Sequence, residues 1–237
     1  MKLEKITNSS VPRSARRYDD ACGAAHALDL IGERWALLVI REMMFGPRRF
    51  GELRASLPGI SANVLSQKLE ALEASGVVQR LRLPPPASVQ VYDLTDWGRE
   101  IRPVFGMLGM WAARSPLHDP TLPLSAISMM MSFQTMFRPE RAAGVAVTVG
   151  FRFGEDRFTA RVIDGALQIE RGEAGSAEVT VTGAPPALAG LVYGGQSLAA
   201  LETAGALSVE GDREALVRFA GLFALPPKVN EAGSAAA

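Results

Sequence analysis

Apolar positions recur every three to four residues through the first half of the chain. Over residues 21–31, Ala25, Leu28 and Ile31 share one side, and after Gly32 the run 33–45 continues with Trp35, Leu38, Val39 and Met43, which predicts two helices. Gly46-Pro47 is a stop signal, a short helix follows from 49 or 50 to 57, and Pro58-Gly59 makes a turn. Ser61 stands as an N-cap ahead of the run 61–75, in which Leu65, Leu69 and Leu72 form one face and Asn63, Ser66, Gln67 and Glu70 the other. Gly76 ends that helix. The period then changes to two. Residues 77–83 and 89–94 read as paired strands around an exposed tip, Pro84-Pro85-Pro86-Ala87-Ser88. Thr95 caps a long helix through Arg114, with Ile101, Val104, Phe105, Leu108 and Trp111 as its apolar stripe and Pro103 as a kink.

A Pro-rich linker over 116–123 separates this half from a second pattern. A helix over 124–137 carries Met129, Met130, Met131, Phe133, Met136 and Phe137; such a Met-rich face serves either core packing or an adaptable binding surface. Strands follow over 145–153, 158–162, 166–170 and 177–182, with Asp164-Gly165 as a hairpin signal. Helices over 185–193, 197–204 and 212–223 come next, with a short strand over 205–211 between the last two. Both halves mix helices with short strands, so the fold class is α+β.

Composition narrows the functional classes. The 237 residues suffice for two modest domains. No apolar run approaches the roughly 20 residues of a membrane span, and the charged start lacks the apolar core of a signal peptide, so a soluble cytoplasmic protein without a membrane partner is expected. Cys22 is the single cysteine and the two histidines, His26 and His118, lie far apart, which leaves no set of metal ligands and no disulfide. Net charge is zero, yet residues 1–117 hold 16 Lys and Arg against 12 Asp and Glu, whereas residues 118–237 hold 9 against 13. The first half can meet phosphates and the second would repel them.

Helix, turn, helix and hairpin in this order place one helix in a DNA major groove. On that layout Arg48 and Arg49 are candidate phosphate clamps. Ser61, Asn63, Ser66, Gln67 and Lys68 stand on the reading helix, where amide side chains pair bidentately with adenine. Arg80 and Arg82 share one face of their strand and reach phosphates or a minor groove from the wing. Trp35 belongs to the core. No Ser-His-Asp set, carboxylate pair or phosphate loop stands out, so the protein is read as a non-enzyme and no cofactor is expected.

Residues 22–111 resemble the HxlR family of bacterial winged-helix regulators, relatives of the MarR group. The resemblance rests on Cys22, on the run Leu28-Asp29-Leu30-Ile31-Gly32-Glu33-Arg34-Trp35, on Arg41-Glu42, on Gly46-Pro47-Arg48-Arg49-Phe50-Gly51-Glu52-Leu53, on Leu57-Pro58-Gly59-Ile60-Ser61, on Leu65-Ser66-Gln67-Lys68-Leu69 and on Tyr92-Asp93-Leu94-Thr95. It implies a homodimer built by terminal helices, binding to double-stranded DNA and repression. It also implies a redox-sensing reading of Cys22. The nearby charges, Asp19, Asp20 and Asp29 with Arg16 and Arg17 further off, leave a buried structural thiol as the alternative. Residues 125–226 resemble the sterol carrier protein fold, which implies a tunnel for a small apolar ligand. The candidate lining is Met129, Phe133, Met136, Phe137, Phe151, Leu191, Tyr193, Leu222 and Phe223. The expected plan is a DNA-binding and dimerisation domain over 1–115, a linker over 116–124, a ligand domain over 125–226 and a flexible tail over 227–237. The expected activity is that of a ligand-responsive transcriptional repressor. The competing reading is a lipid or small-molecule carrier that uses its first domain as a dimerisation scaffold.

Overall fold

The computed structural model describes residues 4, 5, 18–173 and 175–229. The chain divides into two compact units, Met1–Pro103 and Val104–Ala237. The first unit contains β1 (Glu4–Lys5), α1 (Gly23–Ile31), α2 (Ala36–Arg41), α3 (Phe50–Ser56), α4 (Ala62–Ala74), β2 (Val78–Arg82), β3 (Gln90–Leu94) and α5 (Asp96–Arg99), and the division falls within α6 (Arg102–Ala113). The strands form an antiparallel sheet in the order β1-β2-β3. Its core gathers Val39 and Ile40 of α2, Leu53 of α3, Leu65, Leu69 and Leu72 of α4, and Val78, Leu81, Val91 and Leu94 of the hairpin, all buried.

Two helices differ from the sequence expectation. The run expected to be helical from 33 starts at Ala36, because Trp35 takes a left-handed backbone with φ 79°. A bulky side chain rarely adopts that region, so the chain turns there instead of winding on. The long helix expected over 95–114 is two helices, α5 and α6. Pro103 stands in the first turn of α6, where its missing N–H costs no hydrogen bond, so it marks a start and not a kink.

The second unit opens with α7 (Ala126–Met136), followed by a 3-10 turn at Pro139–Arg141. Then come β4 (Val147–Phe153), β5 (Asp156–Ile163), β6 (Ala166–Arg171), β7 (Val179–Gly183), α8 (Pro185–Val192), α9 (Leu198–Thr203), β8 (Leu207–Gly211) and α10 (Arg213–Ala220). The sheet order is β6-β5-β4-β7-β8, with β4 and β7 parallel and every other pair antiparallel. Alternation decides its two faces. Val147, Val149, Phe151 and Phe153 of β4 point into the core with Phe158 and Val181, while Arg152, Arg157, Arg161, Glu170 and Glu210 carry ion pairs on the other face. On the core side α7 and α10 bring Phe133 and Phe219 to Phe151, with ring centroids 5.2–5.8 Å apart in edge and tilted contacts. Lys228 donates to the carbonyls of Ala113 and Ser115, and the Val229 N–H to that of Arg114. The expected flexible tail is therefore anchored over its first residues, and 230–237 lie outside the described ones.

Candidate functional site

The helix-turn-helix is built around a capped second helix. Ser61 Oγ accepts from the Val64 N–H at 3.2 Å and starts α4. Leu65, Leu69 and Leu72 anchor one side of α4, so Asn63, Gln67 and Glu70 are left exposed on the opposite side with Ser66 half-buried between them. The turn before α4 needs Gly59, whose φ is +90°. The indole of Trp35, itself half-buried under the Arg34 guanidinium, closes on that glycine.

The four arginines proposed for phosphate or groove contact part company. Arg49 is exposed at the start of α3, and its backbone N–H donates to Glu52 at 2.9 Å. Arg82 is exposed at the end of β2, next to the tip. Arg48 must be corrected: it is only 3% exposed, its backbone exchanges two hydrogen bonds with Tyr92, and its guanidinium reaches Ser56 at 3.2 Å and Glu52 at 3.7 Å. It fastens α3 to β3 from inside and cannot reach a phosphate from that position. Arg80 is also committed, since it pairs with Glu73 of α4 at 2.9 Å and lies over the Tyr92 ring. Lys68 pairs with Glu33 and is largely covered, so it is turned away from the exposed face of α4.

Sequence reasoning missed three charged groups inside this unit. Glu42 is fully buried beside Arg41, and the Asp93 carboxylate is buried against Arg99 at 2.6 Å. Burial pushes the Asp93 carboxyl above the usual range, with the Arg99 hydrogen bond opposing it. Arg102 donates to the Met44 carbonyl and lies over the Phe45 ring, and burial lowers its pKa. The Arg41-Glu42 and Tyr92-Asp93-Leu94 runs already stood out in the sequence, but nothing in them distinguishes a buried charge from a surface one.

Cys22 is exposed as the N-cap of α1, which overturns its reading as a buried structural thiol. The Ala24 and Ala25 N–H groups hold its thiol below the ordinary value. Arg16 and Arg17 lie outside the described residues. On α6, Val104, Met107, Leu108 and Trp111 are exposed, Met107 at 74% and Trp111 at 76%, so this stripe is not core.

In the second unit the residues expected to line a tunnel do converge. Met129, Phe133, Met136, Phe151, Leu222 and Phe223 are buried, and Phe133 meets Phe223 at 4.4 Å between ring centroids. They fill space against one another as a core. Phe137, Leu191 and Tyr193 are half-buried at its margin. Tyr193 shares a 2.8 Å hydrogen bond with Ser132 of α7, and burial pushes its phenol above the ordinary value. Among the described residues no three His, Cys, Asp or Glu side chains converge on a metal site, and no helix is long and apolar enough to cross a membrane.

Comparison with known proteins divides the chain in a similar way. Residues 30–118 match the family described as HxlR-like helix-turn-helix, and residues 124–229 match the family described as alkyl sulfatase C-terminal. The HTH-type transcriptional regulator YvaP of Bacillus subtilis (strain 168) is 38% identical over 86 residues, which span 36% of this chain and 80% of that protein. YodB of the same organism, also an HTH-type transcriptional regulator, is 37% identical over 86 residues, 36% of this chain and 77% of YodB. The HTH-type regulator sll1512 of Synechocystis sp. is 41% identical over 83 residues, 35% of this chain and 62% of that protein.

Proposed function

The chain belongs to the HxlR-like helix-turn-helix family, and on that premise we propose that it is a sequence-specific DNA-binding transcriptional regulator. One observation carries the reading: α4 is capped, anchored by three buried leucines, and presents Asn63, Ser66, Gln67 and Glu70 on its free side. That is the geometry of a helix that enters a major groove. Asn63 and Gln67 are assigned to base edges, Arg49 and Arg82 to phosphates. The relatives bear transcriptional-regulator names, which favours this reading over that of a carrier with a scaffold domain.

The active species is a homodimer, supported by the apolar stripe that α6 leaves in water. The functional boundary is assigned to the linker 116–124, and support comes from the gap at 119–123 between the two family matches. The second domain is assigned as an effector module of the sterol-carrier kind for a small apolar molecule, which would bind by repacking the core beside Phe137, Leu191 and Tyr193 at its margin. Support comes from the Met-rich α7, whose side chains repack readily, and from their half-buried position. Native mass spectrometry before and after denaturation tests this: bound mass that leaves on denaturation supports it, and a domain that stays empty after exposure to fatty acids and alkyl sulfates overturns it. The place of action is the cytoplasm, and repression is the expected output.

The deciding experiment selects duplexes from a random pool at near-physiological salt and compares the best with a scrambled duplex. A regulator yields a specificity ratio of about a thousand or more. A ratio near one, with binding that vanishes as salt rises, is phosphate attraction alone and refutes the proposal.

A further inference from the structure

We propose that residues 221–229 form a strap that ties the filling of the second unit's aromatic core to the end of α6, so that a guest which displaces Phe223 loosens the dimer. The proposal rests on the second domain acting as an effector module and on α6 assembling the dimer. From Val104 onward α6 belongs to the second unit. There it meets α7 at two glycines: a Cβ on Gly106 or Gly109 would lie 3.7 or 3.9 Å from Thr135. The last turn of α6 carries Trp111, the most exposed member of the apolar stripe.

One end of the strap lies in the core. Phe223 is buried, with its ring centroid 4.4 Å from that of Phe133 and 4.9 Å from that of Phe219. Its backbone runs antiparallel to the end of α7. The Arg138 N–H donates to the Leu222 carbonyl at 2.9 Å and the Ala224 N–H to that of Met136 at 3.2 Å. Phe133, Phe151 and Phe219 stand within α7, β4 and α10, whereas Phe223 follows the end of α10. Since these rings already fill the core, a guest must move one of them. Phe223 is the one whose displacement leaves the helices and the sheet intact.

The other end clasps α6. Lys228 Nζ donates to the carbonyls of Ala113 and Ser115 at 3.1 and 2.9 Å, and the Val229 N–H to that of Arg114 at 3.0 Å. These carbonyls close the C-terminal end of α6, where a cation also meets the negative end of the helix dipole. Between the two ends stand Leu225, Pro226 and Pro227. The prolines have a fixed φ and no N–H, so the link is stiff and passes a displacement on instead of absorbing it. A shift of Phe223 therefore draws Lys228 and Val229 off α6. Its last turn frays, and Trp111 loses its fixed position.

Backbone hydrogen exchange of the full chain, read by mass spectrometry over residues 110–115, tests the strap, with sedimentation equilibrium alongside. The probe is dodecanoate below its micelle-forming concentration. It should speed exchange there about tenfold and raise the dimer dissociation constant by a similar factor. Lys228→Met removes the donors that clasp α6. It should produce both changes without the probe and leave little for the probe to add. Phe223→Leu should also speed exchange over 110–115, whereas Phe158→Leu, at a buried ring of β5, should not. Equal effects of these two variants would be a general loosening and overturn the proposal. Faster exchange with an unchanged dissociation constant overturns it as well. Native mass spectrometry of the same samples separates the strap from the effector reading. Retained dodecanoate with unchanged exchange over 110–115 defeats the strap alone. No retained dodecanoate, while Phe223→Leu and not Phe158→Leu speeds exchange and weakens the dimer, counts against the effector reading and leaves the strap.

Discussion

At the scale of single residues, neighbouring side chains of one type do different work, and substitution separates them. Gln67→Ala removes a candidate base contact and should cost about 1–3 kcal/mol at one base position while relaxing the preference there. Arg49→Ala should weaken every duplex alike and reduce the salt slope by about one. Arg48→Met should do neither: its side chain is enclosed by α3 and β3, so the expected effect is a loss of about 2 kcal/mol of folding stability with unchanged preference among duplexes. Binding isotherms over a salt series, with denaturant curves for each variant, decide all three, and a change of base preference in Arg48→Met would reverse its assignment. Cys22 is a separate case. Its thiol is exposed and lowered by helix N–H groups, and the thiolate is the nucleophile. The pH midpoint of alkylation by iodoacetamide should therefore fall below the roughly 8.5 of an ordinary cysteine. A midpoint at or above that value removes the helix terminus as an activator and, with it, the physical support for redox sensing.

At the scale of elements, α5 is seated close against the Val77 carbonyl, in the segment that joins α4 to β2. Gly98→Ala would drive a Cβ into the Val77 carbonyl. With backbone on both sides there is little room to give, so a loss of about 3 kcal/mol is expected, read as a lowered denaturant midpoint. An unchanged midpoint would mean that α5 is free to shift. Elements of this kind were largely legible in the sequence. The alternation of helical period and period two placed the hairpin of the first half and the five strands and four helices α7–α10 of the second half to within a few residues, because one face of each is buried. What escaped depends on partners remote in the chain. Arg48 and Arg49 are equivalent in a motif, and the bridge to Tyr92 sends one inward. Lys68 looks free until Glu33 is brought beside it. Trp35 has helical neighbours and a left-handed backbone, which no periodicity encodes. Aromatic residues around Phe133 read equally as core and as tunnel lining, since both are apolar, and ring contacts are what distinguish them.

At the scale of the molecule, the question is what covers α6. Its outward stripe combines Val104, Met107, Leu108 and Trp111 at helical spacing, in a chain whose family resemblance implies assembly through terminal helices. A single subunit gains nothing by holding Trp111 in water, whereas a second copy would desolvate it. Trp111→Lys therefore separates assembly from folding: the residue is 76% exposed in the isolated chain, so helix content and thermal midpoint extrapolated to low concentration should hold. Loss of a central aromatic anchor typically costs about 2–4 kcal/mol of association, or roughly a hundredfold or more in the dissociation constant, read by sedimentation equilibrium. Affinity for a duplex with two half-sites should fall in step, because two linked reading helices bind with an effective concentration that separate subunits lack, while affinity for a single half-site should stay as it was. A variant that remains dimeric would move the interface off this stripe. A variant that turns monomeric yet keeps full affinity for the double site would show that the α4 helices act independently, and the dimer would then have no part in reading DNA.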